Sequence, residues 1–219
     1  MEDKAALMSF ELIDDIIATG NVPDRYIIDS NTMESFLLRD RYTCEVSWCL
    51  ISNSWINPLS DLLKGHKCLE IYGGLGLLSH RLKENGIDIT CTDNKSFVNM
   101  DYSKCYTDVC NMSAIDAIRS FEKDTLDYVI ASWIPYEDAF CESIARVIYQ
   151  NHKNCKLIYI GEERGGCTAT SNFFIGYDDI SNTKEYKSKI KNINSNFQRW
   201  HRIYDYVMVL KPRNKTPGR

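Results

Sequence analysis

The chain has 219 residues, with 44% hydrophobic and 26% charged residues and a formal net charge of −4. That composition is globular, of a length that suits one α/β domain with a small extension. No stretch approaches the roughly 18 apolar residues of a membrane span, and the acidic balance argues against a dedicated nucleic-acid binder without excluding one.

The opening Met1-Glu2-Asp3-Lys4 lacks the basic start and apolar core of a signal peptide, so a cytoplasmic location is expected. The nine cysteines are odd in number and form no CxxC pair, and the four histidines show no metal-ligand spacing. Reduced thiols, no disulfide frame and no metal are therefore the expectation.

Residues 1–66 read as a helical N-terminal extension. Phe10, Ile13, Ile16 and Ile17 share one face, closed by Gly20 and Pro23. Asn31 with Glu34 resembles a capping box ahead of Phe36 and Leu37. Asn57-Pro58 reads as a cap and first-turn proline for a helix that Gly65 stops.

From residue 67 to 210, strands and helices alternate. Strands are predicted at 67–72, 87–92, 126–132 and 156–160, and helices at 77–85, around 115–121 and at 140–149. This spacing means βαβ units and a mostly parallel sheet. A polar helix is expected over 184–193. Strands at 197–200 and 203–210, linked by His201-Arg202, would close the sheet as a C-terminal antiparallel hairpin. Residues 211–219 form a basic tail. Lys184, Lys187, Lys189 and Lys191 are either a solvated helix face or a patch for a phosphate-bearing substrate.

The chemistry concentrates at the strand ends. Cys68-Leu69-Glu70-Ile71-Tyr72-Gly73-Gly74-Leu75-Gly76 carries a strand through three glycines into a helix N-terminus. Such a turn lets a ligand approach the main chain, although its spacing is not the G-x-G-x-x-G of dinucleotide sites. Asp93, 17 residues after Gly76, ends the next strand beside Asn94 and can accept from two ribose hydroxyls. Asp108, ahead of Val109, can accept from an adenine amino group or serve as a loop residue. Ser132-Trp133-Ile134-Pro135-Tyr136 ends a strand beside the glycine turn, at the switch point where open α/β sheets bind ligands. Gly161-Glu162-Glu163-Arg164-Gly165-Gly166-Cys167-Thr168 ends the following strand, with Glu162 as a candidate base or a turn residue.

These segments resemble class I S-adenosylmethionine-dependent methyltransferases. Glu70 to Gly76 is similar to the family's first motif, with Tyr72 standing where a glycine is usual. The resemblance implies a Rossmann-like α/β sheet, S-adenosylmethionine as cofactor, and contacts from Glu70, Tyr72, Gly73, Gly74, Gly76, Asp93, Asn94, Asp108 and Val109. It implies methyl transfer at the fourth motif, with Ser132, Trp133, Pro135 and Tyr136 around the acceptor and Glu162 as a base. A narrower resemblance, carried by Arg41-Tyr42 with Trp48, Ser132–Tyr136 and Gly161–Thr168, is to a little-characterised methyltransferase-like group and implies no acceptor. Two alternatives stay open: a catalytically inactive binding protein on this fold, for which Tyr72 and the altered fourth motif speak, and an enzyme using another nucleoside compound.

Overall fold

The computed structural model describes residues 4–29, 32–136 and 138–214. Its first elements are β1 (Ala5–Leu7), α1 (Phe10–Thr19), β2 (Arg25–Ile27), α2 (Met33–Glu45) and α3 (Asn53–Leu63). Helix α1 starts where Ser9 accepts from the Leu12 N–H at 3.2 Å. It stops at Gly20, whose φ of +70° lets its N–H reach Ile16 O, as the sequence predicts. Helix α2 is capped by Thr32, which accepts from Ser35 N at 3.1 Å; the expected cap, Asn31, lies outside the described residues.

Two corrections fall in this segment. It is not all helical, since β1 and β2 pair in parallel as a two-stranded ribbon. Helix α3 begins at Asn53, more than one turn earlier than Asn57-Pro58 suggested, leaving Pro58 inside it. The early start buries Trp55 and Ile56 completely, and that burial outweighs the backbone hydrogen bond the proline cannot make.

The remaining elements are β3 (Lys67–Ile71), α4 (Leu77–Glu84), β4 (Asp88–Asp93), β5 (Val109–Asn111), α5 (Ala114–Ser120), β6 (Tyr128–Ser132), α6 (Ile144–Asn151), β7 (Lys156–Gly161), β8 (Tyr177–Asp179), α7 (Lys187–Asn196) and β9 (Tyr206–Pro212). The main sheet has seven strands in the order β5-β4-β3-β6-β7-β9-β8. Strands β3 to β7 are parallel, whereas β9 runs antiparallel to both β7 and β8. The C-terminal antiparallel pair is present, but its outer strand is Tyr177–Asp179. Phe197 and Trp200 are buried in the core ahead of β9, because the edge of β9 is already taken by β8.

Side chains alternate across the sheet with period two. Cys68, Tyr128, Ile130, Ile158, Ile160, Val207 and Val209 join a core with residues of α1, α2, α3, α4 and α7. Leu69, Ile71, Val129, Ala131, Leu157, Tyr159, Met208 and Leu210 join a second core with α5 and α6. Residues before β3 thus supply part of one of the two layers that cover the sheet. Order reverses between β3 and β6, so the loops leaving these two strands diverge and open a crevice at the carboxyl edge. None of the described helices is long and apolar enough to cross a membrane.

Candidate functional site

The glycine turn is built against β4 and β5 rather than around open space. Gly73 donates its N–H to Thr92 O at 3.0 Å, and a Cβ there would lie 2.4 Å from Cys91 Sγ. Gly76 has φ +80°, and a Cβ on it would meet Val109 Cγ2 at 2.8 Å and Thr107 Cγ2 at 2.9 Å. Both glycines are demanded by close packing. Gly74, at φ +55°, is the one of the three that lines the cleft described below, and its N–H donates to Asp93 Oδ2 at 2.9 Å. Tyr72 also sits in the left-handed region, at φ +57°, which a bulky side chain rarely adopts.

Glu70 lies beneath this turn, 1% exposed. Its Oε2 accepts from Ser79 N at 3.1 Å, from the Ser79 hydroxyl, and from the Cys91 thiol at 3.4 Å. Ser79 is in the first turn of α4, where Gly76 offers no side-chain cap. Glu70 therefore satisfies a free helix N–H from the strand below and fixes the angle between turn and helix. Burial pushes its carboxyl up to about 7, against the pull of the Ser79 and Cys91 hydrogen bonds.

Over the carboxyl ends of β4, β3 and β6 lies a cleft of about 710 Å³, within the roughly 300–1,000 Å³ of small-molecule sites. On the β4 side Asp93 ends its strand, 9% exposed, with Oδ1 accepting from Lys95 N at 2.6 Å and from the Tyr102 hydroxyl at 3.2 Å. Asn94 follows, its Oδ1 folded back onto Ser96 N and Oγ at 3.1 and 2.7 Å. Past the end of β5, Met112 to Asp116 line the same side. Ser113 caps α5 there, accepting from Asp116 N at 3.2 Å.

On the β6 side, Ser132, Trp133 and Pro135 line the cleft. Trp133 has φ +52°. Its N–H donates to Ile160 O at 2.8 Å and its indole Nε1 to Asp205 Oδ2 at 2.9 Å. Its ring stacks on Trp48, with centroids 5.6 Å apart and planes 23° apart, and Phe97 meets Trp48 edge-on at 5.6 Å. Across the cleft, the Tyr72 hydroxyl donates to Asp138 Oδ2 at 2.5 Å. Burial, and then the neighbouring Asp138, push the Tyr72 phenol well up.

Besides Glu70, Gly73 and Gly76, four more expected site residues do not line the cleft. Asp108 is exposed and precedes β5, so it sits at the far end of its strand; the loop after β5 presents Ser113 and Asp116 instead. Val109 is buried against Gly76, beneath the turn. Tyr136 is 56% exposed and does not line the cleft. Glu162 does not line it either. Its Oε1 accepts from Tyr204 N at 2.8 Å and its Oε2 from Cys167 N at 2.7 Å. Burial raises the Glu162 carboxyl, but those two N–H groups outweigh it and hold the group below its usual range. A carboxylate so engaged is a staple between the loop after β7 and the segment before β9, not a poised base. The same contact requires Gly166, whose Cβ would lie 2.4 Å from Glu162 Cβ.

The sequence reading missed Phe97, Tyr102, Asp138 and Phe140 as lining residues. Their loops carry no spacing signal. Trp48 was legible within the Arg41-Tyr42…Trp48 segment, though not its partner across the cleft. Among the described residues no His, Cys, Asp and Glu cluster suits a metal ion.

No protein-family model matches the chain, and no curated protein matches it. Solved structures do resemble it. One is a SAM-dependent methyltransferase from Archaeoglobus fulgidus, at 15% identity and TM-score 0.44, covering 71% of this chain and 90% of that one. A TehB-like SAM-dependent methyltransferase from Corynebacterium glutamicum gives 13% and 0.45, covering 82% and 97%. The tRNA (uracil-54, C5)-methyltransferase of Pyrococcus abyssi, in complex with S-adenosyl-L-homocysteine, gives 14% and 0.41, covering 72% of this chain and 37% of its own. The seven-stranded order, parallel through β7 with an antiparallel pair at the C-terminal end, is the Rossmann-like α/β sheet that the sequence resemblance implied.

Proposed function

We propose that this protein is an S-adenosylmethionine-dependent methyltransferase whose transfer takes place at the β6 edge of the cleft. The observation that carries this is the convergence, on one cavity, of the Gly74 turn, the Asp93 carboxylate and the Ser132–Pro135 strand end. The residues suit the cofactor. Asp93 retains acceptor capacity toward the cleft, since Oδ2 takes only the Gly74 N–H, and a diol can compete with the long Tyr102 contact. Asp93 and Asn94 would hold the ribose, the Ser113–Asp116 loop the base, and Gly74 with Tyr72 the amino-acid portion. When bound, the cofactor supplies an electrophilic methyl group. The chain itself contributes orientation and an apolar wall that excludes water, through Trp133, Trp48 and Pro135.

Titration with S-adenosylhomocysteine tests the reading. Binding heat is expected, weakened by about 10–100-fold in Asp93→Ala, the effect of losing hydrogen bonds to a charged group. No heat at high protein concentration overturns the cofactor.

One observation favours a second reading, a binding protein without turnover. Tyr72 occupies a glycine position and is tied to Asp138 over the cleft. If Tyr72 obstructs the ligand, Tyr72→Gly raises affinity for S-adenosylhomocysteine. If it forms the wall, Tyr72→Gly lowers affinity, and Tyr72→Phe costs only about 1–2 kcal/mol of stability in denaturant unfolding.

A further inference from the structure

We propose that the β6 half of the cleft receives its acceptor as a small organic amine, drawn in as the ammonium by aromatic faces and carboxylates, and disfavours phosphorylated compounds. The ammonium releases its proton to solvent, and the neutral nitrogen's lone pair then forms the N–C bond as the S–C bond of the sulfonium breaks and S-adenosylhomocysteine leaves. This rests on the methyl-transfer reading and names the substrate class of the same site.

The charge of the lining is one-sided. Asp93, Asp116 and Asp138 line the cleft, and among the described residues no Lys or Arg does. Lys95, whose Nζ lies 5.9 Å from the Tyr102 ring centroid, is not a lining residue. A phosphate entering this space faces like charge with no compensating donor cation, which is unfavourable in a cleft that focuses the field. The lysines at 184, 187, 189 and 191, read from the sequence as either a solvated helix face or a patch for a phosphate-bearing substrate, are exposed and do not line the cleft.

The aromatic part has a matching polarity. Trp48 and Trp133 stack at the β6 end, with Phe97 edge-on to Trp48. Ring faces carry negative quadrupole charge and attract cations, Trp most strongly. Trp133 is further biased, because its indole N–H donates to Asp205, a carboxylate 2% exposed whose Oδ1 has no hydrogen-bond partner among the described residues. Donation to a carboxylate enriches the indole π system in electron density, which strengthens its attraction for a cation. Asp138 sits at the same end, its Oδ2 taken by Tyr72 and its Oδ1 by Phe140 N at 2.9 Å. Asp93 and Asp116 lie toward the β4 and β5 side, where the cofactor is assigned. This leaves the indole pair and Asp138 for the acceptor.

The test uses three probes of similar shape: phenyltrimethylammonium, its uncharged isostere tert-butylbenzene, and phenyl phosphate. S-adenosylhomocysteine is titrated first by calorimetry, and each probe is then titrated into free and saturated protein at one ionic strength. The expected result is S-adenosylhomocysteine binding, followed by roughly tenfold or greater preference for the ammonium over the isostere and no measurable phosphate binding. Asp138→Asn, which keeps a hydrogen-bond partner for Tyr72, is expected to lose most of the charge preference, and Trp48→Leu to lose ammonium binding. Equal affinity for ammonium and isostere, or tighter phosphate binding, overturns the inference while the cofactor heat leaves the methyl-transfer reading standing. Ammonium preference without any S-adenosylhomocysteine heat overturns the methyl-transfer reading and supports an amine-binding cleft. The wild-type comparison needs no variant to fold.

Discussion

At Gly73, one hydrogen atom separates a working turn from a clash. A methyl group there meets Cys91 Sγ at 2.4 Å and the Thr92 carbonyl at 3.3 Å, so the neighbouring strand has to move. Gly73→Ala is expected to cost about 2–4 kcal/mol, in the range of a severe overpacking or buried-strain substitution. Cys91→Ala in the same chain is expected to restore part of that loss, because it removes the sulfur that the methyl strikes. A double-mutant cycle by urea unfolding measures the coupling, and additive effects would contradict the contact. The requirement for glycine at 73, 74 and 76 was legible in the sequence. Its cause at 73 and 76 was not, since the sequence reading ascribed it to ligand approach and the structure ascribes it to β4 and β5.

The elements explain why a short motif-like string can mislead about chemistry. The loop after β7 owes its glycine and acid to one staple, in which Glu162 binds the N–H groups of Cys167 and Tyr204. Thr168 completes it, its hydroxyl accepting from Glu162 N at 2.8 Å. Glu162→Ala is expected to destabilise the fold by about 2–4 kcal/mol, as two N–H groups lose a charged acceptor. S-adenosylhomocysteine affinity, measured by calorimetry on the folded fraction, is expected to stay within about twofold, because Glu162 does not line the cleft. A large affinity loss with unchanged stability would return Glu162 to the site. A loop at a strand's carboxyl end in such a sheet is a fair place to look for function. Whether its acid faces the ligand or the backbone depends on Tyr204, a residue distant in sequence that no local pattern reveals.

For the whole molecule, two buried carboxyls set the response to pH. Glu70 is pushed from 4.5 up to about 7, and Asp205 from 3.8 up to about 6, in each case first by burial. The folded chain therefore holds protons that the unfolded chain has released. The associated stability is complete below the unfolded values and is lost as pH rises through about 6 and 7. Glu162 works in the opposite sense, through a carboxyl held below its usual 4.5, so its contribution is lost only in stronger acid. The unfolding free energy is expected to be higher near pH 5.5 than at pH 8, by roughly 2–3 kcal/mol, since each tenfold change in proton affinity is worth about 1.4 kcal/mol. Glu70→Gln and Asp205→Asn are each expected to flatten that slope in urea titrations across the range. An unchanged slope in both would mean that the two groups do not titrate there.

The sequence by itself determined the alternating strands and helices from residue 67, the glycine turn, Asp93 and the β6 strand end. These are local signals: hydrophobic period, turn chemistry and residues a fixed distance from a strand end. Only the tertiary structure decided which strand pairs with β9, that residues before β3 help cover the sheet, that Asp108 stands at the wrong end of β5, and that Trp48 closes on Trp133. Each of those depends on contacts between distant segments, where burial and steric fit outweigh the preference of any single stretch.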